Sequence, residues 1–287
     1  MTKVNSESLL SHIFFFLRKK YTMRALGILD KMPTSFINPV NYFLPLGGEK
    51  ILVNELVGKK ISLRHTGNIY CTICNKKTAK SFGEGLCYQC FSTAPENAEC
   101  IIRPELCLAH EQKGRNVEWE IKHHLQPHLV YLALVNEIKV GVTRETQVPT
   151  RWIDQGANQA IILAEVPYRQ LAGALEVSLK EHLTDKTHWI KMLRNDFNRD
   201  INLQEEKARI YELMPEHLQQ YISDNDEVVE LVYPVLEYPQ KVASIGFDKQ
   251  REITAVLKGI RGQYFIFEGG QVINIRKHSG YEVELIA

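Results

Sequence analysis

The chain of 287 residues is long enough for two or three small domains, each with its own core. Its 44% apolar and 24% charged residues are those of an ordinary globular protein, which argues against collagen-like, disordered and membrane-embedded classes. A net charge of +1 exerts no global pull on nucleic acid, so any basic surface must be local.

In chain order, the run Leu9–Leu17 is the one segment that reads as a targeting signal. It is too short to span a bilayer, and Arg18, Lys19 and Lys20 follow it, whereas a signal peptide puts positive charge first. Residues 1–23 are therefore expected to be an N-terminal extension, a short amphipathic helix or an over-long start before Met23. The expected location is cytoplasmic, with no membrane partner. There thiols stay reduced, and paired cysteines serve metals more often than disulfides.

Residues 24–70 read as short β segments punctuated by Gly47-Gly48, Gly58 and Gly67. Residues 71–127 hold all six cysteines and few apolar runs, so metal must stand in for a core there. From His128 the pattern becomes strand (128–134), turn near Asn136-Glu137, strand (138–143) and a short helix from Thr150. A longer helix is expected over 168–183, where Leu171, Leu175, Leu179 and Leu183 recur every fourth residue. Helices near 188–199 and 202–222 follow, the second acidic and read as a solvated connector. After Pro239, four strands broken by glycines predict a small barrel or sandwich.

Cys71-x2-Cys74-x12-Cys87-x2-Cys90 is the most specific motif. Each Cys-x2-Cys knuckle presents two thiolates from one turn, and two knuckles complete the tetrahedral shell of a structural zinc. With four protein ligands no position is left open for chemistry. Around this ribbon Lys59, Lys60, Arg64, Lys76, Lys77 and Lys80 stand against Glu84 alone. Such a local excess is how zinc modules contact phosphate backbones, with Lys76, Lys77, Lys80 and the later Arg144 as candidate nucleic-acid contacts. The other reading is a solvated lysine-rich hairpin. Cys100, Cys107 and His110, with His123 or His124, form a candidate second cluster; the set carried forward is Cys100, Cys107, His110 and His123.

Leu129-Val130-Tyr131, Lys139-Val140-Gly141-Val142-Thr143, Arg151 and Glu176 resemble the GIY-YIG nuclease superfamily. The likeness is to the branch in which the second tyrosine is a lysine. The chain also resembles a bacterial family of unknown function, through Thr78-Ala-Lys-Ser-Phe-Gly, Arg103-Pro-Glu, Gln126-Pro-His-Leu-Val-Tyr-Leu-Ala, Pro149-Thr-Arg-Trp-Ile-Asp-Gln-Gly-Ala and Gly259-Ile-Arg-Gly-Gln-Tyr. The nuclease resemblance implies a mechanism: Tyr131 helps to activate water, Arg151 neutralises the attacked phosphate, and Glu176 holds a divalent ion, Mg or Mn. Lys139 replaces the second tyrosine. Gln155 stands where a histidine is often found, and Asn97 and His124 stand where the unknown-function family carries cysteine.

The expected fold class is α+β: a β segment with zinc ribbon (24–127), a GIY-YIG-like α/β core with helical connector (128–237) and a small C-terminal β-barrel (238–287). The expected function is a zinc protein binding DNA or RNA, with a metal-dependent endonuclease site. The alternatives are a non-catalytic binding module, using Arg261, Tyr264, Arg276 and Lys277 as a groove, and a structural component of a protein or ribonucleoprotein complex.

Overall fold

Alternation of apolar and polar residues sets the first strands of the computed structural model, which describes residues 23–180, 182–183 and 188–287. The expected helix or over-long start before Met23 lies outside these residues. β1 (Arg24–Ile28), β2 (Thr34–Ser35), β3 (Asn41–Leu46) and β4 (Glu49–Leu52) are short. In β3 every second residue, Tyr42, Leu44 and Leu46, is buried, and the Gly47-Gly48 turn returns the chain as β4. β5 (Lys60–Tyr70) is the longest strand, and β6 (Lys77–Thr78) pairs with its end. Then come α1 (Tyr88–Thr93), a series of single 3-10 turns, and α2 (Val117–His124).

The next strands, β7 (His128–Leu134) and β8 (Ile138–Arg144), form an antiparallel hairpin. After α3 (Thr150–Asp154) the chain enters β9 (Gln159–Val166), which pairs with the other side of β7. Then follow α4 (Arg169–Leu179), α5 (Trp189–Leu193), α6 (Leu203–Leu213), α7 (Glu216–Gln219) and β10 (Val229–Glu230). The sheet runs β10-β9-β7-β8. Its central strand β7 is buried at every position. Val130, Leu132 and Leu134 pack with Ala172, Leu175 and Leu179 of α4 and Leu203 and Ile210 of α6. Tyr131 and Ala133 point the opposite way, into the larger core. The expected solvated connector over 202–222 is corrected: Pro215 divides it into α6 and α7, and α6 buries Leu203, Lys207 and Ile210.

The last strands are β11 (Ala243–Ser244), β12 (Glu252–Arg261), β13 (Tyr264–Phe267), β14 (Gln271–Asn274) and β15 (Tyr281–Ile286). They do not close into the expected small barrel. β12 and β15 both pair with β5, and β15 pairs with β1, giving the order β1-β15-β5-β12-β13-β14-β11. The reason is the length of β12. Its first half lies on β5 and its second half on β13, with a register shift between Leu257 and Gly259. The fold is thus mixed α+β with several sheets and no closed barrel among the described residues. No helix among them is long and apolar enough to cross a membrane.

Candidate functional site

The first knuckle leaves the end of β5, and the second lies at the start of α1, where Cys87 is the N-cap. Asn75 N–H donates to Cys71 O and Cys71 N–H to Lys76 O, which folds the first knuckle back on itself. Thr72 N–H donates to Gly85 O and draws the second knuckle against it. The four sulfurs lie within 4.8 Å of one another, and all six cysteines of the chain are free. A tetrahedral thiolate shell with bonds of about 2.3 Å places its sulfurs roughly 3.8 Å apart. Cys74 Sγ and Cys87 Sγ are 3.8 Å apart, so the geometry is compatible with a structural zinc. Burial opposes ionisation of Cys71, but backbone N–H groups of Cys74, Cys87 and Ile73 outweigh it and bring the thiol down to about 6.

A second group joins Cys100, Cys107, Glu120 and His124, their ligand atoms also within 4.8 Å of one another. Cys107 Sγ is 3.4 Å from His124 Nδ1. The expected set is corrected in two members. His110 instead stacks on Tyr168, and His123 stacks on Trp119 with Nδ1 2.7 Å from Trp119 O. The physical reason is helix periodicity. Glu120 and His124 are four residues apart on one face of α2, and adjacent His123 points elsewhere. That i, i+4 pair was the available signal for Glu120.

Tyr131, fully buried, is the centre of the remaining candidate residues. Its hydroxyl accepts from Gln155 Nε2 at 2.5 Å, and the positive charge of Arg151 bears on the same group. Both come from the α3 turn, where Arg151 and Gln155 are four residues apart. Burial raises the Tyr131 pKa above its ordinary value, so the phenol keeps its proton at neutral pH. Across the ladder lies Gly141, and a Cβ there would stand 2.5 Å from the Tyr131 hydroxyl. Any side chain at that position would displace the ring.

Lys139 pairs with Ala133 and shares the Tyr131 face of the sheet. Glu176, half-buried, comes from α4 on the other face, yet its charge is felt at Tyr131 and it feels Lys139 in turn. Burial raises the Glu176 pKa; Lys180 opposes that shift and Glu105 adds to it. Glu105 and Arg169 were missed by sequence reasoning. Arg169, the first residue of α4, donates to Cys100 O at 2.9 Å and Ile101 O at 2.7 Å. A cation at a helix start is electrostatically unfavourable, and that was its signal.

Lys76, Lys77 and Lys80, between the two cysteine pairs, are exposed, with Lys80 Nζ 5.4 Å from the Phe82 ring centre. Glu84 is held by Arg276 Nε at 2.6 Å. Arg144 is half-buried at the end of β8, opposite His128 in a different sheet from the ribbon lysines. The alternative groove loses Arg261, which is fully buried and donates to Gly156 O, Asn158 Oδ1 and Asn195 Oδ1.

No curated protein and no solved structure matches the chain at a significant level. The model of DUF2797, described as a protein of unknown function, matches residues 58–283, and the chain belongs to that family.

Proposed function

We propose that this chain is a zinc-bearing nucleic-acid-binding protein whose Tyr131-centred cluster handles a phosphodiester, in the manner of a GIY-YIG nuclease. The observation that carries the reading is the Gln155 hydrogen bond to the Tyr131 hydroxyl, with the charges of Arg151 and Glu176 both within electrostatic reach of that group. Phosphodiester cleavage builds negative charge on the attacked phosphate, and Arg151 and Lys139 are cations suited to offset it. The Glu176 carboxylate is a hard oxygen donor made costly as an anion by burial, which suits a divalent cation. Glu176 is therefore the residue that would hold Mg or Mn, and such an ion supplies further positive charge when bound. Tyr131 takes a revised role. Fully enclosed, it does not reach bulk water, so it acts as a positioning residue that orients Arg151 and Gln155.

The enclosure of Tyr131, together with the exposed Lys76, Lys77 and Lys80, favours one second reading: a module that binds nucleic acid without cleaving it. Incubating the full chain with single-stranded, double-stranded and branched DNA and RNA, with Mg or Mn, separates the two. Metal-dependent cleavage lost in Arg151→Ala and retained in part by Tyr131→Phe supports the nuclease reading. Salt-sensitive binding without cleavage on any substrate replaces it with the binding module.

A further inference from the structure

We propose that Cys100, Cys107, Glu120 and His124 hold a second zinc ion, which fixes helix α4 to the rest of the chain. The proposal stands apart from the phosphodiester reading. All four residues are at least nine-tenths buried, at 6%, 1%, 2% and 3% exposure. Two thiols, an imidazole and a carboxylate enclosed together form an expensive group unless something joins them. Zinc accepts all three ligand types, whereas Mg and Ca avoid thiolates. Tetrahedral bonds of about 2.3 Å to sulfur and 2.0–2.1 Å to nitrogen imply an S···N separation of roughly 3.5 Å. Cys107 Sγ and His124 Nδ1 are 3.4 Å apart. Glu120 is oriented from behind, its Oε1 accepting N–H bonds from Arg115 at 2.7 Å and Asn116 at 3.3 Å. Held carboxylates of this kind are the usual support of a metal shell.

The surroundings supply the reason for an ion. The apolar cluster here consists of Ala98, Cys100, Cys107 and Ala109 with Ile101 against it, too little to hold four successive 3-10 turns. Cys100 lies within the second of those turns, and Cys107 closes the third, Pro104–Leu106. That third turn lies on α4 at Gly173, where a Cβ would stand 2.1 Å from the Glu105 amide nitrogen. Arg169 grips the carbonyls of Cys100 and Ile101 from the start of the same helix. The ligands therefore bracket the segment that seats α4, and with it Glu176.

The test is the zinc content of the full-length chain, equilibrated with excess zinc, desalted and analysed for metal, with hydrogen exchange followed over residues 169–179. The expected result is two ions per wild-type chain and one in Cys107→Ala, with faster amide exchange in α4 of the variant. One ion in the wild type, or two retained in Cys107→Ala, overturns the site. Loss of one ion with unchanged α4 exchange overturns the link to the helix. Should Cys107→Ala fail to fold, the wild-type count alone decides the site.

Discussion

Residues 71–124 and the β7–α4 layer are neighbours that solve the same problem by different means. Helix α1 buries no residue, and its segment is organised by four sulfurs around one point. Strand β7 buries every residue and shares its two faces between two apolar cores. With zinc on the cysteines, as proposed, order in the first region depends on a few short, directional bonds; in the second it is spread over many weak contacts. The ligand region can be undone at one atom, whereas the apolar layer loses stability in portions. They meet where Gly173 admits the Pro104–Leu106 turn.

The sharpest way to break the comparison is Cys74→Ser. Structural zinc contributes roughly 10–16 kcal/mol of apparent binding energy at neutral pH. Elemental analysis is expected to show one ion fewer than wild type, with rapid proteolysis around 71–95 while the β7–α4 layer stays folded. A variant that keeps its full zinc content sinks the ribbon assignment. The matching change in the apolar layer is Leu175→Ala, at a fully buried position facing β7. It is expected to cost about 2–5 kcal/mol in denaturant unfolding and leave metal content unchanged. A cost near zero would mean that the layer is not the packed core described.

This contrast also explains what the sequence disclosed. Short-range patterns were legible: the two knuckles, the β7–β8 hairpin, and the Leu175–Leu179 stripe. β9 was missed although Ala160–Ala164 is an apolar run, because a strand buried on most of both faces lacks the alternation that marks a half-buried one. Long-range pairing was the larger failure. Nothing local in Glu252–Arg261 says that its first half joins β5, nearly two hundred residues earlier, so a separate barrel was expected. At the candidate site, Tyr131, Gly141, Arg151 and Glu176 were legible from the nuclease resemblance. The burial of Tyr131 was not, since it depends on the core shared with the large sheet. Glu105 was missed because its nearness to Glu176 depends on packing between distant segments.

A smaller effect probes the ribbon's surface. Lys76, Lys77 and Lys80 are exposed, and neutralising all three leaves the cysteines untouched. If they contact phosphate, each is expected to remove about 0.7–0.9 from the slope of log affinity against log salt. Zinc content is expected to hold. An unchanged slope would make the lysines a solvated face and separate the zinc assignment from the nucleic-acid reading.

The smallest expected effect lies where the two regions touch, at Glu176. Burial holds its carboxyl above the ordinary value of 4.5; Lys180 opposes that, and Glu105 reinforces it. The folded chain therefore binds this proton more tightly than the unfolded chain does. Below the unfolded value both states are protonated and no penalty exists. As pH rises through the folded value, the anion is forced into the site and stability is lost. Glu176→Gln is therefore expected to match wild type in thermal unfolding at low pH and exceed it at neutral pH. Mn should reverse the ranking, stabilising wild type in proportion to RT ln(1 + [Mn]/Kd) and leaving Glu176→Gln unmoved. A neutral-pH advantage for Glu176→Gln without any response of wild type to Mn would confirm the strained carboxylate and remove its role as a metal ligand. Equal melting at every pH would remove the strain as well.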